Sequence, residues 1–129
     1  MTNYKRKNAE PPLAVKEWGW RYHHAGFPVK EPFDGERYIP ELKIFVGGFE
    51  ESPYGIEWMR FEDDCNISEV IKNVPHIAFE VDSIDYELRV RNHKVISAPG
   101  SPSEGVRTVM IEHNGAPVEL IEFKKEKDI

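Results

Sequence analysis

A histidine near the start of a strand-like segment occurs at matching positions in each half of the chain. The segment HHAGFPV (23–29) aligns with PHIAFEV (75–81), and this alignment places His24 on His76. A single histidine at the start of a strand is usually a polar surface residue, although histidine is also the commonest metal ligand. The recurrence therefore raises the question of whether further ligands recur in the same way.

Two glutamates recur near the ends of the same halves. The segment GIEWMRF (55–61) aligns with PVELIEF (117–123), which places Glu57 on Glu119. Each glutamate has apolar neighbours on both sides, and adjacent residues in a strand point to opposite faces of the sheet. A carboxylate on the inner face of a curved sheet would be costly to bury unless it were paired or bound to a metal.

Together these residues have the chemistry of a divalent-metal site. Neutral imidazoles and carboxylates suit Zn, Ni, Co, Mn or Fe, and open coordination positions would remain for a substrate. The alternative is that they are unrelated polar residues on strand faces. The hypothesis adopted is a metal site formed by His24, Glu57, His76 and Glu119.

The second half of the chain predicts the element order β-α-β-β-β. Apolar and polar residues alternate over 75–81, as in a half-buried strand. A helix is predicted over 82–92, with Ser83 as its cap. The other predicted elements are strands over 94–99, 106–113 and 118–123, a loop over 100–105 and a turn over 114–117.

The first half repeats the strands but not the helix. Strand character is found over 20–29, around 42–46 and over 54–62. Pro32, Gly35 and Pro40 lie where the helix would recur, and proline disfavours a helix interior. The helix of the first half is therefore predicted to be shortened or absent.

The chain is expected to form one domain over residues 1–129, because its length suits one sizeable core. Its expected parts are a loose N-terminal arm (1–19), a first module (20–62), a linker that can form a helical turn (63–73) and a second module (74–123).

Several aromatic and histidine residues are expected outside the site. Trp58 and Phe61 are expected in the core. His23 is expected to face away from the neighbouring His24 because side chains alternate along a strand. His93 and His113 are expected to be polar residues at the end of the helix and before a turn.

The aligned segments resemble the vicinal oxygen chelate superfamily, which includes glyoxalase I, bleomycin resistance proteins and extradiol dioxygenases. The match is carried by HHAGFPV, GIEWMRFE, VPHIAFEVDSID and VMIEHNGAPVELIEF. It extends over roughly 74–123 and is confined to the two end strands in the first half. The resemblance implies an α+β fold in which paired βαβββ modules form a cupped mixed sheet around one metal, with His24, Glu57, His76 and Glu119 as ligands.

The resemblance also implies a function. It indicates a metal-dependent lyase or isomerase of the glyoxalase I-like type, which chelates vicinal oxygens of a small carbonyl substrate and stabilises an enediolate. Glu119 is the first candidate for the catalytic base and Glu57 the second. In this family the region that is short here helps to shape the substrate pocket, so the resemblance leaves open whether the substrate is a glutathione hemithioacetal. The alternatives are a small-molecule binding or resistance-type protein on the same fold, or an epimerase or dioxygenase of the same superfamily.

Composition and charge limit the partners. The net charge is −6 and the basic run Lys5–Lys7 is short, so no nucleic-acid partner is expected. No apolar run is long enough for a membrane span, and the single cysteine, Cys65, excludes an intrachain disulfide. We expect a cytoplasmic protein that binds a small-molecule substrate and forms a homodimer.

Overall fold

The alternating segments of both halves form β-strands in the computed structural model, which describes residues 9–124. The helices are α1 (Leu13–Lys16), α2 (Glu69–Asn73) and α3 (Ile84–Val90). The strands are β1 (Arg21–Pro28), β2 (Arg37–Ile39), β3 (Ile44–Gly47), β4 (Ile56–Phe61), β5 (His76–Glu80), β6 (Lys94–Ser103), β7 (Val106–His113) and β8 (Ala116–Phe123).

The eight strands form one mixed sheet in the order β2-β3-β4-β1-β5-β8-β7-β6. Strand β1 is parallel to β4, and β5 is parallel to β8, whereas the other neighbours are antiparallel. The sheet is strongly curled into a half-barrel. The predicted α+β fold with a cupped mixed sheet is confirmed. None of the described helices is long and apolar enough to cross a membrane.

The register of the sheet reproduces the sequence repeat. The first strands of the two halves, β1 and β5, lie side by side, with Gly26 opposite His76 and His24 opposite Ala78. Within the first half Gly26 lies opposite Glu57, and within the second Ala78 lies opposite Glu119. The two halves are therefore related by a local two-fold arrangement that brings the histidine-bearing strands to the centre of the sheet.

The helix predicted over 82–92 is present as α3, and it covers the outer face of the second half. The side chain of Ser83 accepts a hydrogen bond from the backbone N–H of Tyr86 at 3.0 Å, so the predicted cap is confirmed. Ile84 is fully buried, and Leu88, one turn later, packs against the same core. The buried residues of this core are Trp20, Val81, Ile84, Val109, Ile111 and Leu120.

The first half has no helix between β1 and β2 in the described chain. The missing helix leaves Trp58 of β4 uncovered. Trp58 occupies the position in β4 that corresponds to Leu120 in β8. Leu120 is 0% exposed beneath α3, whereas Trp58 is 40% exposed. The expectation that Trp58 belongs to the core is wrong, because the element that would cover it is absent. Phe61 does pack against the second core cluster.

That second cluster lies on the inner side of the first half. Its buried members are Ile44, Val46, Met59 and Cys65. The segment between the modules contributes to the packing, because Ile67 packs against this cluster and Ile71 of α2 is fully buried. Residues 1–8 of the predicted arm lie outside the described residues, whereas Ala14 and Trp18 pack against the core of the second half.

Two segments differ from the sequence prediction. The glycine- and proline-rich segment 100–105, predicted as a loop, is partly strand, because β6 extends to Ser103. Its pairing with β7 shifts register at three places, which allows residues of low strand propensity to remain paired. The strand predicted around 42–46 belongs to a hairpin of β2 and β3, and Lys43, at a φ of 58°, is the last residue of its turn.

Candidate metal centre

Three of the predicted ligands converge at the centre of the sheet. Nε2 of His24 lies 3.0 Å from Oε1 of Glu119, and Nε2 of His76 lies 3.2 Å from the same oxygen. The two Nε2 atoms are 3.4 Å apart. His24 and His76 are only 5% and 2% exposed, so the cluster is buried beneath the inner face of the sheet.

These separations fit a metal coordination shell. With metal–ligand distances of about 2.1 Å, neighbouring ligands lie roughly 3.0 Å apart in octahedral geometry and roughly 3.4 Å apart in tetrahedral geometry. The three observed separations fall within this range, and the three atoms belong to side chains that zinc and similar ions bind. His24, His76 and Glu119 therefore form a candidate metal-binding triad.

Glu57, the fourth predicted ligand, stands slightly apart from the triad. Its Oε1 lies 3.8 Å from Nε2 of His24. The group whose ligand atoms all lie within 4.8 Å of one another comprises His24, His76 and Glu119. Glu57 faces the same cavity as the triad, so it adjoins the centre rather than forming part of its tight cluster.

The two glutamates have opposite electrostatic environments. Burial by itself would raise the pKa of Glu119, but the hydrogen bonds and charges of His24 and His76 outweigh it and lower the pKa to about 2. Burial raises the pKa of Glu57 and outweighs the charge of His24, which lowers it, while the negative charge of Glu119 adds a smaller upward effect. Glu119 is thus held as an anion, whereas Glu57 holds a proton more readily.

The pKa of His24 is set by the same contacts. Burial lowers it, but the hydrogen bond to Glu119 and the negative charges of Glu119 and Glu57 together raise it above its ordinary value. A cation at this position is therefore electrostatically favourable. A divalent ion would occupy the same negative potential that otherwise favours a proton on His24.

The ring of His76 lies directly against the backbone of Gly26. A Cβ atom at Gly26 would lie 2.1 Å from Cε1 of His76, far inside van der Waals contact. Position 26 therefore has to be glycine for the ring to occupy its place. Nδ1 of His76 is buried and has no hydrogen-bond partner among the described residues, so packing against Gly26, together with the contact of Nε2 with Glu119, positions the ring.

His23 lies beside the centre, contrary to the expectation that it faces away. Its Nδ1 is 2.8 Å from Nδ1 of His24, and its ring stacks on Phe49 with the ring centroids 5.0 Å apart. The pairing of β1 with β5 shifts register between Tyr22 and His24, and this irregularity breaks the alternation on which the expectation depended. In the sequence, the only sign that His23 lies near the centre is that it is adjacent to His24.

The contact between the two histidines can select the tautomer of His24. Burial lowers the pKa of His23, and the nearby His24 lowers it further, which favours a neutral His23. A neutral ring can accept a hydrogen bond on Nδ1. If Nδ1–H of His24 donates that bond, Nε2 of His24 presents its lone pair to the cluster, as a metal ligand must.

A cavity of about 710 Å³ opens on the inner side of the sheet in front of the cluster. His24, Glu57 and Glu119 form part of its wall. This volume lies within the range of small-molecule sites. The other histidines lie elsewhere: His113 is exposed at the end of β7, and His93 packs near the rings of Trp18 and Trp20.

Comparison with known proteins supports the fold alone. No family model and no curated protein matches the sequence. The crystal structure of a hypothetical protein from Bacillus halodurans C-125 is similar, with a TM-score of 0.63 and 18% sequence identity over 85% of this chain and 99% of that chain.

Proposed function

We propose that the protein is a metal-dependent lyase or isomerase of the vicinal oxygen chelate type, acting on a small carbonyl substrate. The observation that carries the proposal is the convergence of two imidazole nitrogens and one carboxylate oxygen, 3.0 to 3.4 Å apart, at the base of a cavity. Three protein ligands with an open side are typical of catalytic rather than structural metal sites.

A divalent ion held by His24, His76 and Glu119 would supply Lewis acidity to two adjacent oxygens of a substrate. Glu57 is the residue best placed to accept a carbon-bound proton from that substrate. It lines the cavity and adjoins the triad without joining its tight cluster, and its raised pKa makes it a stronger base than Glu119. This assignment reverses the order suggested by the sequence, in which Glu119 ranks first.

The alternative function is a small-molecule binding protein on the same fold. The large apolar part of the cavity favours it, because such a lining suits binding without chemistry. The two functions differ in what the buried cluster does. A binding protein does not need Glu57 as a proton acceptor, whereas the enzyme does.

Elemental analysis of the purified protein tests the proposal first. We expect about one divalent ion per chain in the wild type, and its loss in His76→Ala and Glu119→Ala. His113→Ala is the matched control, because this histidine is exposed at the far end of β7, and it should retain the ion. Absence of bound metal in the wild type after reconstitution would contradict the proposal.

Proton exchange then separates the enzyme from the binding protein. The metal-loaded protein is incubated with small α-hydroxy ketones in deuterated water, and exchange of the carbon-bound proton is followed by NMR. We expect exchange with the wild type and none with Glu57→Gln that still holds the ion. If metal-loaded wild type exchanges no proton in any α-hydroxy ketone tested, the binding function is favoured.

A further inference from the structure

The cavity has an apolar wall along the first half of the sheet. Met59 follows Glu57 by two residues on β4, so both side chains point to the inner face. Val46 lies opposite Met59 on β3. Ile44, Ile67 and Leu42 extend the wall beyond them. From the metal centre, this wall leads toward the carboxyl end of β4.

A second apolar wall leads from the centre in the opposite direction. Ile121 and Phe123 follow Glu119 on the inner face of β8. Strand β4 is parallel to β1, and β8 is parallel to β5. Because β1 and β5 are antiparallel to each other, β4 and β8 run in opposite directions. Phe49 joins this side through its stack on His23. The centre therefore lies between two hydrocarbon surfaces.

The cavity offers little to a charged substrate away from the centre. Of the residues described as lining it, Arg37 alone is a lysine or arginine. Arg37 lies 3.6 Å from the carboxylate of Glu50, and both side chains are largely exposed. The Asp or Glu residues described as lining the cavity are Glu50, Glu57 and Glu119, and all three are carboxylates. A phosphate or a second carboxylate on the ligand would meet no unpaired cation in this part of the chain.

We propose that the site takes a substrate whose two metal-binding oxygens are joined to an uncharged hydrocarbon body, which lies against the wall that contains Met59 and Ile67. This inference rests on the proposed function and specifies its substrate class. It excludes nucleotides and glutathione conjugates, because each carries several anionic groups that this wall would desolvate without pairing. Burial of the hydrocarbon body provides the affinity, and the two oxygens provide the orientation.

Straight-chain hydroxamates are suitable probes, because each binds a metal through two adjacent oxygens and differs from the next only in hydrocarbon length. We would measure their affinity for the zinc-loaded protein by calorimetry, from acetohydroxamate to octanohydroxamate. The expected gain is roughly two- to fourfold in affinity for each added methylene that is buried. An eight-carbon hydroxamate that ends in a carboxylate should bind at least about tenfold more weakly than octanohydroxamate.

Two wall variants and one matched control locate the hydrocarbon body. Ile67→Gln and Met59→Gln place a polar amide in the wall, and each should reduce octanohydroxamate affinity while leaving acetohydroxamate affinity unchanged. Met59→Gln changes a buried residue, whereas Ile67 is half-buried in the linker, so Ile67→Gln gives a result even if the other variant unfolds. Trp58→Gln alters the outer face of the same strand and should change neither affinity.

The outcomes distinguish this inference from the proposed function. If all hydroxamates bind with equal affinity, or the carboxylate-ended probe binds more tightly, the inference is overturned while the metal site stands. If the protein holds no metal, the proposed function fails. The inference is then tested by thermal shift of the metal-free protein with neutral amides of the same chain lengths. A shift that grows with length supports it, and the same shift at every length overturns it.

Discussion

Replacing Gly26 by alanine tests whether the candidate metal centre depends on close packing between the two central strands. The added Cβ would lie 2.1 Å from Cε1, 2.6 Å from Nδ1 and 2.7 Å from Nε2 of His76. Since carbon atoms in contact are at least about 3.5 Å apart, the ring has to move by roughly 1.4 Å, or β1 and β5 have to separate. No ligand atom is changed by this substitution.

Such a displacement is large for a metal site, where ligand distances hold to within about 0.2 Å. We therefore expect the zinc affinity of Gly26→Ala to be at least about tenfold lower than that of the wild type. The free energy of unfolding of the metal-free protein should also fall by about 1–3 kcal/mol, the usual cost of overpacking a buried position. Competition with a chromophoric chelator measures the first quantity, and urea unfolding the second.

Two comparisons separate the ring contact from other effects of the new methyl group. Gly100→Ala is the control, because a Cβ there meets no atom within 4 Å, and it should leave zinc affinity and stability unchanged. In a His76→Ala background the clash is absent, so Gly26→Ala should then cost less than about 0.5 kcal/mol. Wild-type zinc affinity in Gly26→Ala would refute the argument that contact with Gly26 sets the position of His76.

Four further predictions concern other parts of the molecule. Glu57→Gln should still bind zinc but lose proton exchange, whereas loss of both would make Glu57 a ligand. His23→Phe, which keeps the stack on Phe49, should lower zinc affinity about tenfold because it removes the hydrogen bond to His24; unchanged affinity would contradict that role. Burial lowers the pKa of His93, so the unfolded chain takes up a proton on this residue at a higher pH than the folded chain does. The free energy of unfolding should therefore fall as the pH drops below about 6.5. Urea unfolding of His93→Phe should show a smaller fall over the same pH range. The exposed Trp58 lies on an uncovered face of the sheet, which a second copy of the chain could cover. Sedimentation should show a homodimer, and Trp58→Arg should weaken it. A wild-type monomer at micromolar concentration would contradict the predicted dimer.

The central strands and the triad could be predicted because the chain repeats itself. Apolar and polar residues alternate around His76, as expected for a strand, and the segment around His24 has strand character and aligns with it. Aligning the two halves pairs these histidines without any knowledge of the sheet, and the register of β1 with β5 brings them together. Helix α3 was predictable for a local reason, since its cap Ser83 acts on residues only a few positions away.

The position of His23 could not be predicted in the same way. Its side chain lines the cavity because the register shifts between Tyr22 and His24, and a shift of this kind changes no residue type that a pattern could detect. The extended end of β6 is a similar case. Its glycine and proline residues indicate a loop, yet the shifted pairing with β7 continues to Ser103. Tertiary pairing overrides local propensity in both segments.

The sequence repeat does not reveal that Glu57 and Glu119 have different contacts and different pKa values. Glu57 and Glu119 occupy equivalent positions in sequence and register. Only Glu119 has an oxygen within 3.2 Å of both histidines, and these contacts lower its pKa to about 2, while burial raises the pKa of Glu57. Carboxylates whose environments move their pKa values apart can take different roles, one as a permanent anion and the other as a proton carrier. A repeated module thus provides an asymmetric pair of carboxylates, and the proposed deprotonation of a substrate would use that asymmetry.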